Sequence, residues 1–407
     1  MENNQPPLSV ADALSDCVLP QDIMFCIVTR LPVKSIHRFK AVCKPWCKLF
    51  TTPKFMKMHH AQLSQNQSVM VLAPNRGFTF SLFDTNEKKP TNLADPFPEV
   101  LFGMQFIGCC NGLICVSFLP VLQIIELWNP ALKLNKSPTW PKLEVGDTTA
   151  MVSLGFGYDN EGHDFKLVRI VVSVGKKKKM RVEAEVYSCN SDSWETIKVG
   201  LKFIVLGPKN NAIVNGNPYW VARADGNEVV VWFDMSKRVF NVLPLSSLSL
   251  KIREIPNVKL VDWKGSLAAI VCQKKDENVV SFDVWVFDDV GKMWSKNHTF
   301  GPIGLKVERV LQCFQNGKII GECLEDGKLF VFDSENGGVK EIVIDGARKG
   351  SYQVYGYTES LAYFKGLAKE KVRTEEEELE IDKDVAGFFK RCLGIELAVP
   401  LYCRRTQ

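Results

Sequence analysis

The chain has 407 residues, of which 46% are hydrophobic and 24% charged, as in an ordinary soluble globular protein. Its formal net charge of +5 is small and spread along the sequence, so we expect no nucleic-acid partner, which would call for a strongly basic domain. The sequence has no run of about 18 apolar residues and starts without the basic and apolar regions of a signal peptide. We therefore expect neither a membrane span nor secretion.

The thirteen cysteines are expected to be reduced in a long chain without an export signal. Cys109 and Cys110 are adjacent, and Cys43 and Cys47 lie one helical turn apart. Neither pair has the C-x-x-C spacing of a zinc site, and no histidine follows at the spacing of a zinc finger. The sequence therefore predicts no metal site and no cofactor.

Residues 1–16 are polar and are predicted to be disordered. A helix is expected from Pro20, because proline fits the first helical position. Ile23, Ile27 and Leu31 then recur on one face, and Pro32 ends that helix. Further short helices are predicted from Val33 and from Pro45, with a last turn at Thr52-Pro53; their apolar residues are Ile36, Phe39, Val42, Cys43, Trp46, Leu49, Phe50, Phe55 and Met56.

This stretch, residues 17–60, carries apolar side chains on more than one helical face. About forty residues of short helices cannot bury that much apolar surface by themselves. The remaining apolar face should pack either on the downstream domain, as a helical cap, or on a partner chain. Periodicity alone leaves both interpretations open.

Residues 17–60 closely resemble the F-box of plant proteins, over the whole module and without a gap. The family pattern L-P-x-D, R-L-P-V-K-S, R-F-x-x-V-C-K-x-W and P-x-F is carried here by Leu19, Pro20, Asp22, Arg30, Leu31, Pro32, Val33, Lys34, Ser35, Arg38, Phe39, Val42, Cys43, Lys44, Trp46, Pro53 and Phe55. The resemblance implies a Skp-family adaptor as partner, and through it a cullin. The adaptor-binding positions that it implies are Leu19, Pro20, Ile23, Leu31, Pro32, Val33, Ile36 and Val42, with Trp46 at the junction.

Three residues depart from the family pattern. Ile36-His37 stands where many relatives have Leu-Leu, and Pro45 replaces a common serine. Isoleucine for leucine is a modest repacking, but a buried, unpaired imidazole costs free energy. We expect His37 at the rim of the interface or in solvent, with a lower affinity for some adaptors.

From residue 67 to 365, short apolar runs alternate with Gly, Asn, Asp and Pro, which predicts an all-β domain. A loose repeat recurs in it: a strand ends in an aromatic and a small polar residue, and a turn leads to an apolar return. The instances are Phe83-Asp84, Trp128-Asn129-Pro130, Tyr187-Ser188 with Trp194, Phe233-Asp234 with Phe240, Phe287-Asp288 with Trp294, and Phe332-Asp333.

Blades of about 40–50 residues are the sequence mark of a β-propeller, and each blade packs only against its neighbours. The repeat therefore predicts a protein that is mainly β, with a small N-terminal α module and a β-propeller-like domain of about six blades. Residues 351–364 are expected to supply the closing strand of the first blade. A two-sheet sandwich is the alternative, although a single sandwich seldom holds so long a chain.

Four segments of this domain, in the family order, also resemble the plant F-box-associated interaction domain: FIGCCNGLIC (106–115), LWNPALK (127–133), LGFGYDNEGHDFKLVRI (154–170) and VYSCNSDSWETI (186–197). That resemblance extends over most of residues 67–365 and agrees with the F-box ahead of it. Residues 366–407 form an acidic segment, Glu375 to Glu378 with Glu380 and Asp382, followed by an apolar tail.

Catalytic motifs are not apparent, and the segment rich in Cys and Gly around Cys110 is better explained as packed strands joined by an Asn-Gly turn than as a thiol nucleophile. His163 lies in a turn with too few carboxylates for calcium. A basic run, Lys176, Lys177, Lys178 and Lys179, is expected at a solvated hairpin tip. It is also the weak candidate for contact with an acidic substrate surface, since loops carry binding.

The two resemblances together imply a non-catalytic substrate receptor of a Skp-cullin-F-box ubiquitin ligase, which brings a target protein of unknown identity to the ligase for ubiquitination. We expect it in the cytoplasm, or in both cytoplasm and nucleus. The alternatives are an F-box protein that holds its partner without degradation, and a propeller lectin or enzyme with a helical cap. Similarity to pollen S-locus F-box proteins and to other F-box proteins does not single out a substrate.

Overall fold

The computed structural model describes residues 21–64, 68–74, 78–84, 90–93, 104–118, 124–143, 150–174, 180–206, 211–245, 258–276, 279–314, 317–344, 350, 352–364 and 366–369. These residues form four α-helices, all before residue 64, and 26 β-strands in six sheets. The predicted fold class is therefore confirmed. None of the helices in these ranges is both long and apolar enough to cross a membrane. The predictions for residues 1–16 and for the acidic segment and tail fall outside the described residues.

The helices follow the prolines of the sequence. They are α1 (Gln21–Val28), α2 (Val33–Phe39), α3 (Lys44–Phe50) and α4 (Pro53–Leu63). Pro32 is the N-cap of α2, and both α3 and α4 have proline in the first turn, where its missing N–H leaves no bond unmade. Thr52 caps α4 by accepting a hydrogen bond from the Phe55 backbone N–H.

Three details of the helical prediction are wrong. α1 ends at Val28 rather than continuing to Leu31. The backbone N–H groups of Arg30 and Leu31 bond carbonyls only three residues back, and Pro32 disfavours a helical conformation in the residue before it. Val42 and Cys43 follow α2 instead of extending its apolar stripe, and both are exposed. The predicted last turn is the longest helix of the module, α4, with 11 residues.

The strands are numbered in chain order. β1 to β9 are Ser68–Pro74, Phe78–Asp84, Thr91–Leu93, Met104–Cys110, Leu113–Phe118, Ile125–Asn129, Leu134–Lys136, Ala150–Asp159 and Asp164–Val174. β10 to β18 are Met180–Ser188, Ser193–Ile197, Ile204–Val205, Ala212–Val214, Asn217–Ala224, Asn227–Asp234, Val239–Pro244, Val258–Trp263 and Ser266–Asp276. β19 to β26 are Val279–Asp288, Met293–Ile303, Val307–Cys313, Lys318–Cys323, Leu329–Asp333, Val339–Ile342, Gln353–Tyr357 and Ala368–Lys369.

Each sheet is one blade of the propeller. Blade 1 has the order β25-β1-β2-β3 and blade 2 the order β4-β5-β6-β7-β26; β8 to β11, β12 to β16, β17 to β20 and β21 to β24 form blades 3 to 6. β25 pairs with β1 along five residues, from Ser68 opposite Tyr357 to Leu72 opposite Gln353. The prediction that residues 351–364 close the first blade is thus confirmed.

The apolar core lies between the blades. Six clusters of buried side chains fill the six interfaces between neighbouring blades, including the one between blades 6 and 1. The predicted aromatic repeat falls at the end of the third strand of every blade. Its polar residue shapes the following turn: Asp234 accepts hydrogen bonds from the backbone N–H groups of Ser236 and Lys237. The repeat therefore marks the blades because each needs one buried ring and one turn-forming side chain.

Candidate functional site

The core of the helical module is completed by the propeller. Its buried apolar side chains are Val28, Val33, Ile36, Leu49, Phe50 and Phe55, and Ala131 and Leu361 of the propeller belong to the same cluster. Ala131 lies in the turn between β6 and β7, and Leu361 follows β25. Of the two interpretations that periodicity leaves open, packing on the downstream domain thus holds for this side of the module.

Asn129 holds the propeller side of this junction in place. Its side-chain Nδ2 donates to the carbonyls of Ser360 and Ala362, at 3.1 and 3.0 Å. Its Oδ1 accepts from the backbone N–H of Leu132 at 3.3 Å. One buried amide therefore ties the two segments that touch the helices. Sequence analysis assigns Asn129 to a repeated turn, and only the fold brings it within reach of residues 360–362.

Two consecutive histidines of α4 lie on either side of the junction. The Nε2 of His59 is 2.8 Å from the carbonyl oxygen of Leu31, within the helical module. His60 bonds the backbone of Glu359, in the propeller. Burial lowers the pKa of both imidazoles below the usual histidine value, and the backbone carbonyls only partly offset it. Both rings are accordingly neutral at pH 7 in the folded protein.

Other apolar side chains of the module are exposed to solvent. Ile23 is 50% exposed, Ile27 44% and Val42 66%. Ile23 and Ile27 lie one turn apart on α1, whereas Met24, Phe25 and Val28 of the same helix face the core. We refer to Ile23, Ile27 and Val42 as the exposed apolar residues of the module. Ile27 is not among the positions that the family pattern assigns to adaptor binding, although its four-residue spacing from Ile23 is a usable signal.

The remaining predicted adaptor-binding residues are placed differently. Pro32 is exposed, Leu31 is half-buried, and Trp46 is half-buried between the rings of Phe39 and Phe50. Val33 and Ile36 are 0% exposed and belong to the module core. Their side chains offer no surface in this conformation, so they support the neighbouring surface from beneath. Leu19 and Pro20 lie outside the described residues, and His37 is exposed.

The two faces of the propeller differ in what covers them. Adjacent strands of each blade run antiparallel, so successive turns alternate between the faces. The β6–β7 turn that contacts the helices lies on the same face as the Asn111-Gly112 turn; we call this the helix-side face. The connections between second and third strands lie on the far face. Met180 pairs with Val174 there, on either side of Lys176–Lys179, which themselves lie outside the described residues.

The hairpin of β4 and β5, which carries Cys109, Cys110 and Cys115, packs in the propeller core. Asn111 and Gly112 form the turn between β4 and β5, both with positive φ, at 47° and 73°. A Cβ on Gly112 would lie 2.5 Å from the carbonyl oxygen of Thr358, so only glycine fits. Burial raises the pKa of the Cys110 thiol to about 12 and also raises that of Cys115. Such thiols carry almost no thiolate at pH 7, which disfavours nucleophilic chemistry.

The Asp-rich turn around His163 is occupied by the chain's own donors. The carboxylate of Asp159 accepts hydrogen bonds from the Gly162 backbone N–H, from Lys166 Nζ and from Ser236 Oγ. Burial would raise the pKa of Asp159, but these hydrogen bonds outweigh it and hold the pKa at about 2. Within the described ranges, no three His, Cys, Asp or Glu side chains are grouped so as to hold a metal ion.

Comparison with known proteins assigns both modules. The family model described as "F-box domain" matches residues 17–58, and that described as "F-box associated beta propeller domain" matches residues 50–364. The chain belongs to this family of F-box proteins. The resemblance found from the sequence motifs is thereby confirmed.

Two similar proteins are plant proteins whose names also include an F-box and a repeat domain. An F-box/kelch-repeat protein of Arabidopsis thaliana is 28% identical over 294 residues, covering 68% of this chain and 78% of that protein. The F-box/WD-40 repeat-containing protein 1 of the same plant is 28% identical over 311 residues, covering 72% and 71%. Among solved structures, TolB from Acinetobacter baumannii has 9% identity and a TM-score of 0.42, covering 75% of this chain and 73% of that one. So distant a likeness adds nothing to the family assignment.

Proposed function

We propose that this F-box protein is the substrate receptor of a Skp-cullin-F-box ubiquitin ligase. Its helical module binds a Skp-family adaptor, its propeller binds a target protein, and other subunits transfer the ubiquitin. The observation that carries the proposal is that the helical module packs on Ala131 and Leu361 of the propeller and still leaves Ile23, Ile27 and Val42 in solvent.

Exposed apolar side chains on a small module are energetically unfavourable unless a partner covers them. Fully burying an isoleucine or valine side chain gains about 1.5–3 kcal/mol, so the exposed apolar residues could supply much of the adaptor affinity. Val33 and Ile36 set the position of this surface from within the core, and we assign them a supporting role rather than direct contact. Leu31, Pro32 and Trp46 remain candidates for contact, as do Leu19 and Pro20.

Target binding is assigned to the far face of the propeller. The helix-side face is partly covered by the F-box, whereas the far face carries the connections between second and third strands and those between blades. Lys176 to Lys179 fall in one of these connections and remain the candidates for contact with an acidic target. A receptor built in this way holds its target on the side opposite to the adaptor.

The adaptor contact can be tested with a matched pair of variants. Ile27→Glu places a charge on the proposed interface, and Met58→Glu does the same at a side chain of α4 that is equally exposed, at 43%, and not among the assigned positions. In capture of a purified Skp-family adaptor, we expect Ile27→Glu to lower affinity at least tenfold and Met58→Glu to leave it within twofold. Equal binding by wild type and Ile27→Glu would overturn the assignment of that surface.

Degradation is tested separately from binding. Reconstitution with adaptor, cullin and ubiquitin enzymes should add ubiquitin to a target that binds the propeller, and proteasome inhibition should raise the abundance of that target in cells. If the adaptor binds but target abundance does not change, the receptor holds its partner without degrading it.

A further inference from the structure

The basic charge of the protein is concentrated in the helical module. Of the 51 lysine and arginine residues of the chain, eight lie within residues 21–64, together with one of the 46 acidic residues, Asp22. The module therefore carries a formal charge of +7, whereas the rest of the chain, with 43 basic and 45 acidic residues, carries −2. The even spread of charge expected from the sequence is thus wrong, because the small net charge averages a strongly basic module and a nearly neutral remainder.

Most of this charge lies on the surface of the module. Seven of its eight basic side chains are exposed, and Lys40 is half-buried. The ion pairs of the described residues all lie in the propeller, and none involves a side chain of the module. No carboxylate of the described residues therefore pairs with the cations of the module. The exposed ones are Arg30, Lys34, Arg38, Lys44, Lys48, Lys54 and Lys57.

Three of these lysines lie where a cation weakens its own helix. Lys34, Lys44 and Lys54 are in the first turns of α2, α3 and α4, and none of these turns contains an acidic residue. The N-terminal end of a helix is electrically positive, so a cation there is unfavourable. Helix stability therefore does not account for these lysines, whereas binding to an acidic partner would.

The cations lie close in sequence to the exposed apolar residues of the module. Lys40 and Lys44 are two residues before and after Val42, and Arg30 follows Ile27 by three residues. Phosphates of a nucleic acid would meet the cations and leave the apolar side chains uncovered. A protein surface that has an apolar centre and carboxylates around it covers both, as in interfaces with an apolar core and a polar rim. The combination favours a protein partner.

We infer that the Skp-family adaptor presents an acidic surface to the F-box, and that the basic charge of the module steers the adaptor into contact. This inference rests on the proposed binding of an adaptor and adds the electrostatic character of that partner. Opposite charges on two surfaces raise the rate of association, and salt screens them over about 8 Å at physiological ionic strength. The cations of the module set the association rate, and the buried apolar side chains set the lifetime of the complex.

The test measures association and dissociation separately. A purified Skp-family adaptor is bound to the full-length protein, and both rate constants are followed by surface plasmon resonance. When the salt concentration is raised from about 50 mM to about 500 mM, we expect the association rate constant to fall at least tenfold and the dissociation rate constant to change less than about twofold.

Two triple variants that lose the same charge locate the effect. The module triple replaces the three first-turn lysines, and at low salt it should lower the association rate constant at least fivefold without a comparable change in dissociation. The propeller triple replaces three exposed lysines of the propeller and should change association less than twofold. The module triple is Lys34→Gln, Lys44→Gln and Lys54→Gln, and the propeller triple is Lys198→Gln, Lys202→Gln and Lys264→Gln.

Two further measurements separate steering from folding and from apolar contact. Urea denaturation should find the module triple at least as stable as the wild type, because the replaced lysines oppose the helix dipoles. Ile27→Ala should show the converse kinetics, with faster dissociation and nearly unchanged association.

The outcomes distinguish this inference from the proposed function. Adaptor binding with an association rate that is independent of salt, or an equal effect of the two triple variants, would overturn the inference and leave adaptor binding in place. Absence of adaptor binding at every salt concentration would overturn both.

Discussion

The helical module and the propeller bury their apolar residues in different ways. In the propeller every blade is covered by its two neighbours, and six clusters fill the six interfaces. The F-box has too few residues for such closure. It packs on Ala131 and Leu361 of the propeller and still leaves Ile23, Ile27, Val42 and Met58 exposed. The propeller completes its core from its own blades, whereas the module needs side chains of the propeller to complete its core.

The largest effect is expected from breaking a buried ion pair of the propeller. Arg169 and Glu185, both 0% exposed, pair at 2.6 Å in blade 3. Glu185 also accepts from the backbone N–H groups of Lys142 and Leu143. Arg169→Met leaves the carboxylate buried without its cation, which should lower the free energy of unfolding by about 3–5 kcal/mol. Urea denaturation measures this loss in the free energy of unfolding.

The matched control removes both charges. In the double variant Arg169→Met with Glu185→Gln, no buried charge is left unpaired and the glutamine side-chain oxygen can still accept from Lys142 and Leu143, so most of the lost stability should return. A single variant as stable as the wild type would show that the pair is not important for the ring. Adaptor capture should be the same for all three proteins while they are folded.

A second comparison separates core from surface within the F-box. Ile36→Ala empties part of the module core and should lower the free energy of unfolding by about 2–5 kcal/mol. Ile27→Ala removes an exposed side chain and should change stability by no more than about 0.5 kcal/mol, yet weaken adaptor binding. Urea denaturation and adaptor capture on the same preparations give the two answers. If both variants lost only stability or only affinity, the distinction between core and exposed residues of the module would be wrong.

The smallest effect is a pH dependence at the junction. Burial lowers the pKa of His59 and His60, so the unfolded chain binds more protons than the folded one. The free energy of unfolding should therefore fall as the pH drops below about 6.5, the ordinary histidine pKa. The loss is up to about 1.4 kcal/mol per pH unit for each histidine that stays neutral in the folded protein. Urea denaturation at pH 7.5 and 5.5 measures the loss.

The control for this dependence is a double replacement. His59→Gln with His60→Gln should flatten the change between the two pH values, whereas His163→Gln, at an exposed turn, should keep it. An unchanged pH dependence in the double variant would place its origin elsewhere.

Local chemistry made much of this fold predictable. Prolines at helix starts marked α2 to α4, and an aromatic residue followed by Asp or Asn marked the third strand of each blade. The end of α1 was not predictable from periodicity, because the apolar spacing continues to Leu31 while the backbone bonds of Arg30 and Leu31 already reach back only three residues. Val42 was wrongly assigned to the second helix, because apolar spacing does not show where the backbone leaves the helix.

Contacts between residues that lie far apart in the chain could not be predicted from the sequence. Val33, Ile36 and Ile23 are all adaptor-binding positions that the resemblance implies, and only the packing of the module shows that Val33 and Ile36 point inward. The cavity on the axis of the propeller could not be predicted either, since residues that line it, such as Asn211, Lys259 and Tyr355, come from three blades. Their types carry no recognisable motif, and the space between them exists only once the ring has closed.

The strand β25 has a consequence for synthesis. Residues 353–357 close blade 1, and residues 359–362, directly after them, contact the F-box. The F-box leaves the ribosome first, yet its docking surface is completed only by some of the last strands to be translated. A chain interrupted near residue 350 would therefore have an unclosed ring and an undocked module together. Both defects involve residues 353–362, so closure of the ring and docking of the F-box depend on the same short segment.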